Sequence, residues 1–188
     1  MYFPKLSGEF VFLSPVAPED AALWAGWLND LSVAVPLGDE AYLTYGLERA
    51  QQDVSEAVQR QDHIFTIVEK SSNRPIGRCL LFGVNLVDRC GMVGIFIGER
   101  DSRGKGYGQE AMRLLLDFGF NLLNLHNIML GVFAFNERAI RSYQSLGFHE
   151  IGRRRETRWI GGKAYDAILM DMLEEEFRAR YASVISAQ

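Results

Sequence analysis

The stretch Arg103-Gly104-Lys105-Gly106-Tyr107-Gly108 stands between a strand-like run that ends near Gly98 and an apolar series at helical spacing. Its glycines fall at alternate positions, which leaves the backbone N–H groups uncovered by side chains. The start of a helix adds partial positive charge, and Arg100, Arg103 and Lys105 bring cationic side chains to the same end. The stretch therefore predicts a site for a diphosphate, with a flexible turn carrying solvated charges as the alternative.

Two other phosphate-binding motifs do not fit this stretch. A dinucleotide-binding fingerprint needs G-x-G-x-x-G, and the pattern is broken at Gln109. The G-x-x-x-x-G-K-[ST] motif of nucleoside triphosphatases occurs nowhere in the chain. Dinucleotides and nucleoside triphosphates are therefore disfavoured as ligands.

The chain after the glycines alternates helical and strand patterns. One apolar stripe predicts a helix through Tyr107, Ala111, Leu114, Leu115, Phe118 and Leu122. A strand at residues 127–135 follows, and then a short helix that Asn136 caps and Gly147 ends in a left-handed conformation. The paired glycines 161 and 162 predict a hairpin between residues 148–159 and 164–173. A polar, partly helical tail covers residues 174–188.

The chain before the glycines is richer in strands. The patterns predict helices at residues 18–30 and 40–59, and strands at residues 8–13, 64–69, 76–84 and 90–98. This order of elements predicts one α/β domain over residues 1–188, an α+β fold with a mixed sheet and a core at about residues 8–172.

The sequence resembles the GNAT superfamily of acyl-CoA N-acyltransferases. Arg103, Gly106 and Gly108 match its pyrophosphate motif, [Q/R]-x-x-G-x-[G/A], and Asn136, Tyr143 and Leu146-Gly147-Phe148 match its second motif in order. Three other segments, at residues 13–20, 109–112 and 162–170, resemble the ribosomal-protein N-terminal acetyltransferase branch. The resemblance implies a mostly antiparallel, twisted central sheet with two splayed parallel strands and flanking helices.

The resemblance also implies acetyl-CoA as the cosubstrate, with its pyrophosphate on Arg103, Gly104, Lys105, Gly106, Tyr107 and Gly108. The splayed strands, at residues 90–98 and 128–135, imply backbone contacts from Phe96 and Ile97 to the acyl and pantetheine amides. Asn136 is implied as a further cofactor contact. Tyr143 is implied as the acid that protonates the departing sulfur, and the alternative is that its ring only packs within its helix.

One departure from the family pattern concerns the base. Relatives often carry a glutamate where this chain has Met92, and Glu150, Asp166, Glu156 and His149 are substitutes that exposed polar positions explain equally well. An α-amine of pKa about 7.8 is about 14% neutral at pH 7, against about 0.04% for a lysine-type amine. The difference is on the order of 3 kcal/mol. An α-amine is therefore the expected acceptor, with polyamines, other small amines and a non-catalytic acyl-CoA-binding module as alternatives.

Composition sets the remaining expectations. The net charge is −4 and no run of about 18 apolar residues occurs, so neither nucleic acid nor a membrane is an expected partner. An RNA-associated role for the arginines at 153–155 and 158 is the weaker alternative, because alternate strand residues face opposite sides. Cys79 and Cys90 lack metal-ligand spacing, and we expect a cytoplasmic, metal-free protein. Self-association is left open.

Overall fold

The computed structural model describes residues 1–60 and 63–185. The last three residues of the predicted tail therefore lie outside the described residues. Two compact units are present. The first comprises Met1–Phe82 with Gly94–Leu115, and the second comprises Gly83–Val93 with Leu116–Gln188.

Eight strands lie within the described residues: β1 Leu6–Ser7, β2 Val11–Pro15, β3 His63–Glu69, β4 Arg74–Asn85, β5 Cys90–Ile97, β6 Asn127–Phe133, β7 His149–Ile160 and β8 Lys163–Leu173. Hydrogen bonds join them in the order β1-β2-β3-β4-β5-β6-β8-β7. The pair β5 and β6 is parallel, whereas β6 with β8 and β7 with β8 are antiparallel. The predicted mixed α/β fold is confirmed.

Six α-helices lie within the same residues: α1 Asp20–Asn29, α2 Leu31–Leu37, α3 Leu47–Arg60, α4 Tyr107–Asp117, α5 Glu137–Leu146 and α6 Glu174–Arg180. None of these helices is both long and apolar enough to cross a membrane.

The first unit packs α1 and α3 around a cluster of large apolar side chains. Trp24, Trp27 and Leu28 of α1 are buried there with Val54 of α3 and Phe96 of β5. Phe96 meets the Trp27 ring edge-on, with ring centroids 5.9 Å apart. Burial of one such side chain contributes about 1.5–3 kcal/mol, so this cluster holds α1 and α3 against Phe96.

The second unit is built on a long hairpin. Gly161 and Gly162 adopt positive φ angles of 58° and 76° where β7 turns into β8, which confirms the predicted paired-glycine turn. The parallel ladder between β5 and β6 runs from Cys90 opposite Asn127 to Met92 opposite Met129.

One helix prediction was wrong, and one helix was not predicted. A single helix at residues 40–59 is replaced by a 3-10 turn, Asp39–Tyr42, and by α3, which begins only at Leu47. The amide of Asn29 explains the break, since its Nδ2 donates to the Tyr45 carbonyl (2.7 Å) and its Oδ1 accepts the Tyr45 N–H (3.4 Å). These bonds hold the buried Tyr45 in the segment between the 3-10 turn and α3, which is neither helix nor strand. The helix α2 was not predicted because it contains Pro36 and β-branched residues.

The predicted apolar stripe of α4 is wrong at its last position. A π-helical turn, Phe118–Leu122, follows α4, and the N–H of Leu123 donates to the carbonyl of Phe118. This wider turn rotates the following residues around the axis. Leu122 is consequently 48% exposed, whereas Leu114 and Leu115 are buried.

The start of α4 is fastened to β2 by one side chain. The carboxylate of Glu110 accepts N–H groups from Glu9, from Phe10 (2.9 Å) and from Val11 (2.9 Å). A carboxylate that accepts several backbone donors forms charge-assisted bonds stronger than neutral ones. Glu110 therefore fixes where the first turn of α4 lies relative to β2.

We expect Glu110→Ala to lower the free energy of unfolding by about 1–3 kcal/mol, since three backbone donors lose their acceptor. Urea unfolding measures the change. Glu137→Ala is the matched control, because Glu137 is also a first-turn glutamate, but it is exposed and, among the described residues, pairs only with Arg141. That control should cost no more than about 0.5 kcal/mol. Equal losses in both variants would show that the three bonds do not stabilise the fold.

Candidate functional site

The turn between β5 and α4 is closed by the side chain of Arg103. Its Nε donates to the Ile97 carbonyl (3.0 Å), and one terminal nitrogen donates to the Gly98 carbonyl (2.7 Å). The other terminal nitrogen donates to the Ser32 hydroxyl (3.1 Å). The guanidinium thus supports the backbone of the turn, and the predicted contact of Arg103 with a cofactor stays a prediction.

The other two cations of the turn differ from each other. Arg100 donates twice to the Asp30 carboxylate, each time at 3.2 Å. The bonds from Arg100, together with that from Ser32, hold the pKa of Asp30 well below its usual range. Lys105 is exposed and makes no hydrogen bond or ion pair within the described residues. Lys105 is therefore the cation of this turn that is available to an anion.

The backbone of the turn presents a row of donors. Across the part of the chain that the structure describes, the five N–H groups from Gly104 to Gly108 make no hydrogen bond. Gly104 and Gly106 have φ angles of 80° and 86°, and a Cβ added to Gly106 would meet nothing within 4 Å. Successive N–H groups at a helix N-terminus form an anion-binding concavity. The residues present thus fit the predicted diphosphate.

The side chains beside this row are turned to other partners. The Tyr107 hydroxyl donates to Glu69 at 2.9 Å, so Tyr107 can serve an anion there only through its backbone. The Phe96 ring is buried against Trp27, and the Ile97 carbonyl already accepts from Arg103. Whether the backbone of Phe96 and Ile97 also contacts a cofactor stays a prediction.

In the second unit, the second motif forms a capped helix. The Asn136 side-chain oxygen accepts the Ala139 N–H (3.2 Å), and Gly147, at φ 107°, ends α5. The predicted cap and the predicted left-handed end are both confirmed. The amide nitrogen of Asn136 has no partner among the described residues, so it remains available as a donor.

Tyr143 lies on α5 with its ring half-buried. The ring meets Phe148 edge-on, with ring centroids 5.9 Å apart. Its hydroxyl makes no hydrogen bond within the described residues. Desolvation by burial raises the pKa of Tyr143 to about 12, so the phenol keeps its proton through the physiological range. The geometry gives a neutral, unpaired proton donor.

The candidate bases have local partners. Glu150 is bound by Arg153, whose guanidinium holds the pKa of that carboxyl below its usual range. Asp166 accepts the Glu156 N–H at 3.0 Å, and His149 lies 3.3 Å from Glu176. Met92 is half-buried in β5. Among the described residues, no group of three acidic, histidine or cysteine side chains could hold a metal ion.

The arginine cluster considered for RNA is divided. Arg158 is only 3% exposed and its Cζ lies 5.0 Å from the centre of the Phe133 ring. Arg153 is exposed but paired with Glu150, and Arg154 and Arg155 are exposed. The cluster therefore does not present four cations on one face.

Sequence reasoning missed Glu110 and Arg78. Nothing in the pattern distinguishes Glu110 from other first-turn glutamates. Arg78, by contrast, interrupts the apolar run Ile76-Gly77-Arg78-Cys79-Leu80-Leu81, and a charged residue within such a run could have been noticed. It lies on β4 beside Trp24 and Phe96.

The acetyltransferase (GNAT) domain family matches residues 11–149, and the chain belongs to this family. Membership confirms the predicted family and fold. The finer likeness to ribosomal-protein acetyltransferases is a separate question of substrate.

Proteins that this chain is similar to carry names with different acceptors. The chain is 32% identical to spermidine N(1)-acetyltransferase of Vibrio cholerae over 114 residues, which cover 61% of this chain and 65% of that relative, slightly less than two thirds of its length. The structure is similar to spermidine N-acetyltransferase from Vibrio cholerae in complex with CoA and spermine (TM-score 0.82, 23% identity, 91% and 99% covered). It is also similar to ribosomal-protein-S5-alanine acetyltransferase from Vibrio fischeri (TM-score 0.77, 21% identity, 94% and 98% covered).

We expect Gly106→Ala to weaken the binding of CoA at least about tenfold, because the added methyl group covers a row whose bonds to an anion contribute about 1.5–3 kcal/mol each. Calorimetric titration with CoA measures the loss. Gly162→Ala is the matched control, since Gly162 also has positive φ (76°) and open space around its Cβ position. Both variants should lose about 1–2 kcal/mol of stability. Unchanged CoA affinity in Gly106→Ala would place the diphosphate elsewhere.

Proposed function

We propose that the protein transfers the acetyl group of acetyl-CoA to a primary amine, with an α-amine as the acceptor. The observation that carries the proposal is the row of five N–H groups from Gly104 to Gly108 at the start of α4, which suits the diphosphate of CoA. Lys105 adds an exposed cation that has no ion-pair partner in the part of the chain that the structure describes. The buried Cys79 and the disulfide-free Cys90 fit a reducing compartment, and we place the protein in the cytoplasm.

The thioester supplies an activated acyl group, and the chain supplies the proton transfers and the positioning. The carbon–nitrogen bond forms as the carbon–sulfur bond breaks, so the nitrogen must lose a proton and the sulfur must gain one. Tyr143 holds a proton that can be delivered to the sulfur, and the proton lost by the amine restores the phenol. Asn136 can orient an amide carbonyl of the pantetheine arm through its unpaired amide nitrogen.

The pKa of about 12 limits how Tyr143 can act. An ordinary thiol has a pKa of about 8.5, so complete transfer from the phenol to a thiolate is uphill by roughly 5 kcal/mol. Tyr143 is therefore expected to hydrogen-bond the sulfur as charge develops and to release its proton only as the amine proton becomes available.

The choice of an α-amine as the acceptor rests on Met92. Without a carboxylate at this position, the enzyme depends on the fraction of amine that is already neutral, and that fraction favours α-amines over polyamines. A polyamine is the second candidate, and the similarity to a spermidine N(1)-acetyltransferase favours it.

A product screen tests the proposal. Acetyl-CoA is incubated with amino acids, peptides, spermidine and spermine, and mass spectrometry detects acetylated products. Acetylated α-amines support the main proposal, and acetylated polyamines alone would replace it with the second. CoA binding without turnover on any amine would contradict both and indicate a binding module.

Tyr143→Phe should lower kcat by about 10²–10⁴-fold, because it removes only the hydroxyl that donates the proton. Affinity for acetyl-CoA should change little. Tyr181→Phe is the control, since the Tyr181 hydroxyl donates to the Leu146 carbonyl at 3.1 Å and has a structural partner. That variant should lose about 1 kcal/mol of stability and keep its turnover. A Tyr143→Phe enzyme at full speed would leave water as the proton source.

The pH profile of kcat/KM should follow the pKa of the acceptor. We expect the rate to rise as the amine becomes neutral, without an alkaline fall below about pH 10, because Tyr143 stays protonated there. Met92→Glu should shift the rise to lower pH or admit more basic amines. Rates measured with two acceptors of different pKa provide the check. An inflection near pH 5–6 that stays at the same pH when the acceptor's pKa is changed would instead reveal an enzymic base.

A further inference from the structure

Arg78 is a largely buried cation in the first unit. It lies on β4 between residues that are fully buried, and its guanidinium carbon is 4.5 Å from the centre of the Trp24 ring and 5.2 Å from that of Phe96. The two aromatic side chains hold the guanidinium in place, and both belong to the apolar cluster of this unit.

This guanidinium lacks an acceptor. Within the described residues, Arg78 makes no hydrogen bond or ion pair, and its Nε is buried without an acceptor. The indole N–H of Trp24 is also buried without an acceptor. Burying a cation without hydrogen-bonded partners costs free energy, and an apolar side chain of similar volume serves the fold at least as well. Folding alone therefore does not account for Arg78.

The carboxylates that act on Arg78 are those of Glu40 and Asp53, and neither forms an ion pair with it. Asp53 accepts the Tyr45 hydroxyl and lies 3.9 Å from the Nε of Arg49. They reduce the cost of the buried charge without satisfying the terminal N–H groups, so those groups stay available to a ligand.

We propose that Arg78 binds a carboxylate of the acceptor, so that the acceptor is an amine that carries a carboxylate, as a free amino acid does. The inference rests on the proposed acetyl transfer and specifies its substrate. The planar fork of a guanidinium matches two carboxylate oxygens, and the aromatic faces fix the fork in advance. A polyamine, which carries only positive charge, is repelled by the same group.

The position of Arg78 agrees with this role. Phe96, whose ring lies against the guanidinium, is the residue whose backbone is expected to contact the acyl group. A short acceptor bound through its carboxylate at Arg78 would therefore be held beside the residue expected to hold the acyl carbon. Long, flexible amines would gain nothing from this contact.

Matched acceptors test the proposal. Each of the twenty amino acids is compared with its α-carboxamide, with rates expressed per concentration of neutral amine, and spermidine is added. Arg78→Met should raise KM for the amino acids about 10- to 100-fold, the equivalent of losing one or two charge-assisted bonds. KM for the carboxamides and for acetyl-CoA should not change. Arg78→Lys keeps the charge but loses the planar fork of donors, so its KM for the amino acids should lie between those of the wild type and Arg78→Met.

Arg74→Met is the control for removing a cation from β4, because Arg74 already pairs with Asp101 and Glu99. It should leave the KM for the amino acids unchanged. The inference would be overturned if the wild type preferred carboxamides or spermidine. It would also be overturned if Arg78→Met affected an amino acid and its carboxamide equally. Either result would leave the proposed acetyl transfer intact.

A binding measurement separates this inference from the proposed function. Amino acids should raise the melting temperature of the wild type and not that of Arg78→Met, whether or not acetyl-CoA is consumed. A shift in the wild type alone supports the carboxylate site even if no amine is acetylated. Identical shifts in both proteins would assign Arg78 a packing role.

Discussion

The conformation of the turn between β5 and α4 depends on the two carbonyls that Arg103 binds. The carbonyls of Ile97 and Gly98 both point at the guanidinium, so the chain leaves β5 in a fixed direction. The following glycines can then adopt positive φ and leave their N–H groups unpaired. A lysine offers one compact charge and could not hold two neighbouring carbonyls with the same geometry.

The helix that begins at this turn is held by residues on the sheet. Glu110 accepts the backbone of β2, and Tyr107 donates to Glu69 at the end of β3. Both contacts lie in the first turn of α4. They constrain the position of the helix start, and they leave the N–H groups at its beginning free of competing side chains. A rigid start lowers the entropy lost when an anion binds.

Elements with a clear periodicity of apolar residues, or with glycines that mark a turn, could be predicted from the sequence. The strands near residues 64–69 and 76–84, the Asn136 cap and the Gly161-Gly162 turn depend on neighbouring residues, and local pattern reports them. The non-helical segment at Tyr45 could not be predicted from local pattern, because it depends on Asn29, sixteen residues away. The carbonyls that Arg103 binds and the aromatic rings that Arg78 meets could not be predicted for the same reason, since charge alone does not indicate which groups a side chain meets in the fold.

In the proposed acyl transfer, burial of Tyr143 has two opposed consequences. Desolvation keeps the phenol neutral, so it is always a donor, but it also makes the phenolate costly and weakens the acid. The cost is lowest when the proton is replaced as it leaves, which requires an acceptor nitrogen that becomes acidic on attack. An α-amine meets this requirement better than a strongly basic amine, since its proton is lost more easily. The absence of a carboxylate at Met92 and the burial of Tyr143 thus favour the same acceptor, because each makes the transfer depend on the amine's own acidity.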